Sequence, residues 1–398
     1  MTEASIDEFA GTPTVIIGGG ILGAVTLWEL ARAGTPCALL ESGRLGRGST
    51  GKSAAIVRMH YSNPQVVRMA LRSRDAFIKL PELLDCSPVY ERAGWIFLVD
   101  QHDRENAIAN RSMQLAEGSQ SIEVSLDDLE QYLPGVRPDG IDCALFEEDS
   151  GFADPLATTA AYISAARKLG AHVYEQAPVT QILVENGAVA GVRVKDRAVS
   201  CETVVLAAGA WSPALARTAG IELPIQLTRE QDVIYETAPE RPPRLAVSMQ
   251  VDRTYLRPLV EEGSSLMLVG RGFPKPYDYV ETDSCNWELD DGFVRDVHAR
   301  VAARFPRLRK IRVRDGRVGL YSVTPDWHPL LGPVQTVNGL HLATGGSGHC
   351  FKLGPAIGEL VAGAILGTPA PYADVHDFRL ERFVDGDLFE STYGGNRA

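Results

Sequence analysis

Hydrophobic positions in this chain fall into runs of two kinds. Short continuous runs, Thr14–Ile17 (TVII), Cys37–Leu40 (CALL), residues 94–99 (GWIFLV) and residues 204–208, predict buried strands. Longer stretches with apolar residues at helical spacing predict helices over 22–33, 65–80, 104–117, 126–133, 156–169 and 289–305, and from residue 350 to Leu366. Gly34 and Gly170 stop the first and fifth of these, as glycine does at a left-handed helix end. Runs at 179–184, 189–194 and 198–207, separated by Asn186-Gly187 and by residues 195–197, predict an antiparallel meander. Residues 224–269 then alternate strand-like pieces, including 232–235, 255–258 and 265–270, with turns, which predicts an antiparallel sheet. A last strand at 339–343 leads through the glycine-rich loop of residues 345–350 into the final helix.

The first of these elements carry chemistry. Strand, glycines and helix follow one another as TVIIGGGILGAV, and a second strand ends in Glu41. In such a unit Gly18 turns the chain, Gly20 lets a pyrophosphate approach the backbone, and Gly23 lets the helix pack closely on the strand. The helix N-terminus offers N–H groups to phosphates, and Glu41 is placed to accept from ribose hydroxyls. The segment after Glu41, GRLGRGSTGKSAAIVRMHYSN, has glycines and serines suited to a second phosphate or a sugar. A glycine-rich strand-to-helix loop near each end predicts that both ends return to one cofactor. The expected fold is therefore α/β, with a discontinuous Rossmann-like cofactor domain (10–80, 152–215 and 325–380) and a second domain (81–151 and 216–324) on a mixed, largely antiparallel sheet.

Composition removes alternatives. A formal charge of -12 on 398 residues argues against nucleic acid or an anionic membrane as partner, since both are held by Lys and Arg. Six cysteines without CxxC spacing signal neither a zinc site nor a disulfide framework, so no metal is expected and the thiols are read as reduced. The acidic stretch at residues 1–13 lacks the basic start of a secretory signal, and the most apolar window, 353–366, is too short and too interrupted to cross a bilayer. A cytoplasmic location is expected. With no second GxGxxG unit and no CxxC, a pyridine-nucleotide-dependent disulfide reductase is disfavoured.

Several ordered motifs resemble the D-amino acid oxidase superfamily of flavoproteins, in particular its glycine oxidase, sarcosine oxidase and dimethylglycine dehydrogenase branch. They are GGGILG with Glu41, GSTGKSAAIVR (48–58), GFADP (151–155), VVLAAGAWS (204–212), YLRP (255–258), GLYSVTPDWHPLLGP (319–333) and GGSGHCFKLGPAIGE (345–359). The resemblance implies FAD rather than NAD, and removal of hydride to flavin N5 from the carbon next to an amine nitrogen, giving an imine that hydrolyses. It implies cofactor contacts from Gly18, Gly20, Ile21, Leu22, Gly23, Glu41, Ser42, Gly48, Ser49, Thr50, Lys52, Ser53 and Val179. It implies further ones from Ala208, Gly209, Trp211, Gly319, Gly345, Gly346, Gly348, His349 and Lys352.

Substrate-side roles follow from the same resemblance. Arg58 and Lys352 stand where monomeric sarcosine oxidases bind the substrate carboxylate, and a buried anion needs such partners. Tyr255, Tyr321 and His349 are expected in the same pocket. Gly319 occupies the position at which those oxidases carry the cysteine that bonds the flavin, so FAD is expected to be non-covalent. Cys350 departs from the Gly-His-Gly of many relatives. The lysine those oxidases hold over the flavin falls here on Leu268 or a neighbour, with Arg257, Arg271 and Lys275 the nearest cations. Slower reoxidation by oxygen is expected in consequence. The acceptor, O2 or a protein or quinone, stays open. So do homo- and hetero-oligomeric states and the rival reading of a flavin-bearing subunit that hands electrons to a partner.

Overall fold

The computed structural model describes residues 11–259, 265–273 and 275–392. Residues 1–10, most of the acidic amino-terminal stretch, lie outside the described residues, as does Ser264 beside the predicted 265–270 strand. A six-stranded sheet runs in the order Leu330–Pro333, Leu340–Thr344, Thr203–Leu206, Thr14–Ile17, Cys37–Leu40, His172–Tyr174. Its pairs are parallel apart from the outer one between Leu330–Pro333 and Leu340–Thr344. Continuous apolar runs suit strands covered on both faces, and both faces are covered. Ile16, Leu39 and Val205 point into a core made by helices Ile21–Arg32, Pro64–Leu84, Pro155–Lys168 and Cys350–Leu366. Val15, Leu40 and Val204 point the other way, under the meander of Val179–Glu185, Ala188–Val194 and Arg197–Ser200.

The second sheet has eight strands in the order Arg312–Val323, Gln226–Glu236, Leu266–Arg271, Thr254–Pro258, Ala246–Met249, Trp95–Val99, Cys143–Glu147, Ile122–Val124. It is antiparallel except where Ala246–Met249 meets Trp95–Val99, so it is the mixed, largely antiparallel sheet the sequence predicts. Side chains alternate faces along a strand. Val233, Leu256, Val269 and Val247 therefore pack with Val297 and Val301 of helix Asp291–Arg304, and their neighbours face the opposite side. That opposite face looks into the cavities described below.

Some elements differ from the sequence reading. Residues 198–207 are not one strand: Arg197–Ser200 closes the meander and Thr203–Leu206 enters the six-stranded sheet. The Glu202 and Thr203 N–H groups both donate to the Pro13 carbonyl, which turns the chain between sheets, while Val199 and Val204 share one core and so make the apolar run look continuous. The 65–80 helix is longer, Pro64–Leu84, with Pro81 in its last turn and Asp85 left-handed (φ 51°) beyond it. The 126–133 helix is a 3-10 turn, Leu126–Asp128, followed by one helical turn, Leu129–Tyr132. Residues 232–235 belong to an eleven-residue strand, Gln226–Glu236. All six cysteines are free, and among the described residues no helix is long and apolar enough to cross a membrane.

Candidate active site

A cavity of about 670 Å³ runs from the first glycine loop to the open face of the eight-stranded sheet. At one end Gly18 takes φ +112°, and a Cβ at Gly23 would lie 2.0 Å from the Gly18 carbonyl, so the strand–turn–helix unit closes only with glycine at both places. Gly20 differs: a Cβ there would meet the Thr50 hydroxyl at 3.0 Å and otherwise point into open cavity. Thr50 itself accepts from the Ile21 N–H, capping the helix from outside. The Glu41 carboxylate accepts from the Gly19 N–H at 2.7 Å and the Gly43 N–H at 2.8 Å, which fixes it at the end of its strand. Oε1 also accepts from the Ser42 hydroxyl at 3.2 Å, so the lone-pair capacity for a further donor is on Oε2.

The same cavity is lined by Ile21, Leu22, Ser42, Gly48, Ser49, Lys52, Ser53, Val179, Ala208, Gly209, Gly319, Gly345, Gly346 and Gly348. Ser49 donates to the Leu320 carbonyl at 2.7 Å, drawing the second glycine segment onto the sheet. Lys52 lies 4.0 Å from the Trp287 ring centroid, and burial lowers its pKa. Trp211 stands at the rim with 45% of its surface exposed. Gly23, His349 and Lys352 are the predicted contacts that do not line the cavity: Gly23 sits in the packing beneath the loop, and the other two line a neighbouring cavity.

A smaller cavity of about 160 Å³ adjoins the larger one, sharing Ser53, Ala54, Tyr255, Tyr321, Gly348 and Phe351 with it. Arg58, His349 and Lys352 line this one and not the larger, so they group with the substrate-side candidates. Its wall is aromatic, with Trp95 and Phe97 stacked at 5.4 Å and His60 at 4.9 Å from Phe97. The Arg58 guanidinium donates to the His60 carbonyl and rests 4.8 Å from the Tyr61 ring. The Lys352 ammonium stands 3.5 Å from His349 Nδ1, which is itself 3.3 Å from the Tyr61 hydroxyl. Among the described residues neither Arg58 nor Lys352 has a carboxylate within ion-pair distance.

Electrostatics follow from that burial. Burial and the neighbouring Arg58 charge hold Lys352 well below its ordinary pKa. The same two causes push His60 down to about 3. Burial pushes the Cys350 thiol up to about 12, so it is a protonated packing group against Gly346 rather than a thiolate.

Sequence reasoning missed the polar group on the sheet face. Glu230, Asp232 and Arg317 line the larger cavity beside Tyr255 and Tyr321. Lys275 pairs with Glu230, and the Tyr255 hydroxyl donates to Asp232 Oδ1 at 2.6 Å. Burial pushes Asp232 up to about 6. The strand pattern held the signal: with Val233 and Tyr235 in the core, Glu230 and Asp232 must face the other way, and that face is not solvent. Of the three cations named from sequence, Lys275 is paired at this wall and the other two are engaged elsewhere. Arg257 donates to the Ala54 and Pro258 carbonyls, Arg271 pairs with Asp296, and Arg317 lines the sheet end of the larger cavity, as Arg44 and Arg47 line its glycine-loop end.

A glycine-looped α/β layer and a sheet-walled pocket meeting at one cleft define a dinucleotide-cofactor oxidoreductase. The family model described as FAD dependent oxidoreductase (DAO) matches residues 14–364, and the chain belongs to that family: it is an FAD-dependent flavoenzyme. It is 28% identical over 383 residues to the glycine oxidase of Bacillus licheniformis, covering 93% of this chain and 97% of that protein. It is 25% identical over 368 residues to the 4-methylaminobutanoate oxidase (formaldehyde-forming) of Paenarthrobacter nicotinovorans, covering 89% of this chain. The chain spans only 44% of the length of that second relative. The crystal structure of L-proline dehydrogenase from P. horikoshii superposes with a TM-score of 0.87 at 25% identity, over 96% of this chain and 100% of the other.

Proposed function

We propose that this chain oxidises the C–N bond of a small amine that carries a carboxylate, a glycine or N-methylated glycine such as sarcosine or dimethylglycine. The observation that carries the reading is the convergence of Arg58 and Lys352, without carboxylate partners among the described residues, on a small aromatic-walled cavity continuous with the larger one. Both side chains are part-buried, and two neighbouring cations held there are costly unless an anion joins them. Arg58 offers two parallel donors to a carboxylate and Lys352 a point charge, leaving the amine end against the aromatic wall and the tyrosines. Substrates named for two relatives, glycine and 4-methylaminobutanoate, are consistent with such a pocket.

The larger cavity fits FAD. Gly20 opens its backbone to the space where a pyrophosphate would lie, the helix N-terminus adds donors, and Glu41 retains acceptor capacity for ribose hydroxyls. Gly319 offers no atom for a covalent link. When bound, FAD supplies the two-electron acceptor for the hydride of the carbon next to nitrogen. The chain's residues orient that carbon, exclude water with the Trp95, Phe97 and Phe273 wall, and hold the carboxylate.

Anaerobic addition of glycine, sarcosine, dimethylglycine and proline to the yellow protein tests the reading, with bleaching of the flavin band expected for at least one. Arg58→Met is expected to raise KM for that amino acid by about 100-fold, the worth of a charge-assisted hydrogen-bond pair, while KM for its decarboxylated amine moves little. Equal effects on the two would remove Arg58 from the role.

A further inference from the structure

One row of residues crosses six neighbouring strands in register: Arg317, Asp232, Gly270, Tyr255, Ser248 and Phe97. Its Arg317 and Asp232 end lines the larger cavity, its Phe97 and Ser248 end lines the smaller, and Tyr255 lines both. The residue between Asp232 and Tyr255 is a glycine. A Cβ on Gly270 would lie 2.2 Å from Asp232 Oδ1 and 2.3 Å from the Tyr255 hydroxyl, so any larger residue would part them. The hydrogen bond that glycine makes room for, Tyr255 hydroxyl to Asp232 Oδ1, is 2.6 Å long. Asp232 is 6% exposed.

An amino acid arrives as an ammonium ion, and its carbon can release hydride only once the nitrogen has a lone pair to form the imine. One proton must leave. Arg58 cannot accept it, and Lys352, beside His349 and grouped with Arg58, is set at the carboxylate end of the substrate rather than at its nitrogen. His60, held neutral by burial, is a weak acceptor. The carboxylates lining the cavities are Glu41, at the far end by Gly19, Glu230, paired with Lys275, and Asp232. Asp232 has no cation within ion-pair distance among the described residues.

We propose, resting on the amine-oxidation reading above, that Tyr255 and Asp232 together take the ammonium proton. The substrate N–H bond breaks and its proton joins the Tyr255 oxygen as the Tyr255 proton joins Asp232 Oδ1. The electron pair of the N–H bond stays on nitrogen, the tyrosine is restored, and Asp232 ends neutral. Tyr255 touches the substrate; Asp232 acts through it. The groups around the pair agree with an acceptor poised near neutrality: burial and Glu230 raise Asp232 towards about 6, while the Tyr255 hydrogen bond, Arg317 and Lys275 oppose them. Tyr321, which lines both cavities beside Tyr255, and Arg257 complete the surrounding set.

The test is the pH profile of anaerobic flavin reduction in the wild type, Asp232→Asn and Tyr255→Phe, with the amine that bleaches the flavin. Wild-type kcat/KM is expected to fall below about pH 6. Both variants are expected to lose about 100-fold near pH 7, the usual worth of a general base, and to recover as pH approaches the pKa of the free amine, where solvent has already removed the proton. The double variant should lose no more than either single one, because the pair acts as a unit. A second readout involves no turnover: calorimetry of 2-aminoisobutyrate, which has no hydrogen on the carbon next to nitrogen, in buffers of different ionisation enthalpy. Asp232→Asn is expected to release one more proton per ligand than the wild type, with any uptake by Lys352 or His349 common to both. A pH-independent loss, an unchanged profile or equal proton release would overturn the proposal. If the wild type is bleached by no amine, the amine-oxidation reading itself fails, which is a separate result.

Discussion

Gly20 is a residue of the first glycine loop whose side chain, were it to have one, would enter the larger cavity past the Thr50 hydroxyl. Gly20→Leu is therefore expected to fold and to purify colourless, read as flavin absorbance per mole of protein with far-UV dichroism unchanged. Full flavin occupancy would contradict the placement. Residues of this kind were legible in the sequence because glycine spacing and the acidic strand end carry a mechanism of their own. Asp232 was not. Within QDVIY a carboxylate beside a valine reads as the solvent side of a strand, and only the packing of a second layer against that side turns it into a cavity wall.

Elements were legible where period and caps agreed. Asn63 accepts from the N–H groups of Gln65 and Val66, with Pro64 at the first helical position, so the start of the Pro64–Leu84 helix is specified locally. Asn63→Ala is expected to cost about 1 kcal/mol, measured as a shift in the urea midpoint with an unchanged slope. The end of that helix was not legible, because Pro81 cannot donate to the Phe77 carbonyl and argues for a stop, yet the helix runs on past it to Leu84. Three-residue strands such as His172–Tyr174 are too short to show a period, and four of the first six residues of Arg312–Val323 are charged. Both are strands because a neighbour supplies the partner, Cys37–Leu40 for the one and Gln226–Glu236 for the other. That information is not local.

At the scale of the whole molecule, Arg382 clamps the carboxy-terminal segment to the turn after the eight-stranded sheet. It donates to Asp326 at 2.8 and 2.9 Å and to the carbonyls of His328 and Phe378, each at 2.9 Å. Both charged side chains are buried. Burial alone would raise the Asp326 pKa, but the Arg382 hydrogen bonds and charge hold it below the ordinary carboxylate value. A depressed folded-state pKa gives stability that is complete above the unfolded value and lost as pH falls through the folded one. Arg382→Met leaves the carboxylate buried and unpaired, with an expected cost of about 3 to 5 kcal/mol. Desolvation is then opposed only by uncharged donors, the Thr324 hydroxyl and the His328 and Phe389 N–H groups, and the sign is expected to invert: the variant gains stability as pH falls from 7 towards 4, where the wild type does not. Thermal midpoints across that range check it.

The six-stranded sheet takes its central strand from residues 14–17 and a flanking strand from residues 340–344. On a ribosome, the Thr203–Leu206 edge stays without its partner until some 130 further residues have been made, an interval set by the chain order and bounded only by the rate of synthesis. The wall formed by Gly345, Gly346 and Gly348 comes later still. Flavin capture thus waits until those residues are made, and nascent chains spend the interval with an apolar edge open to chaperones or to one another.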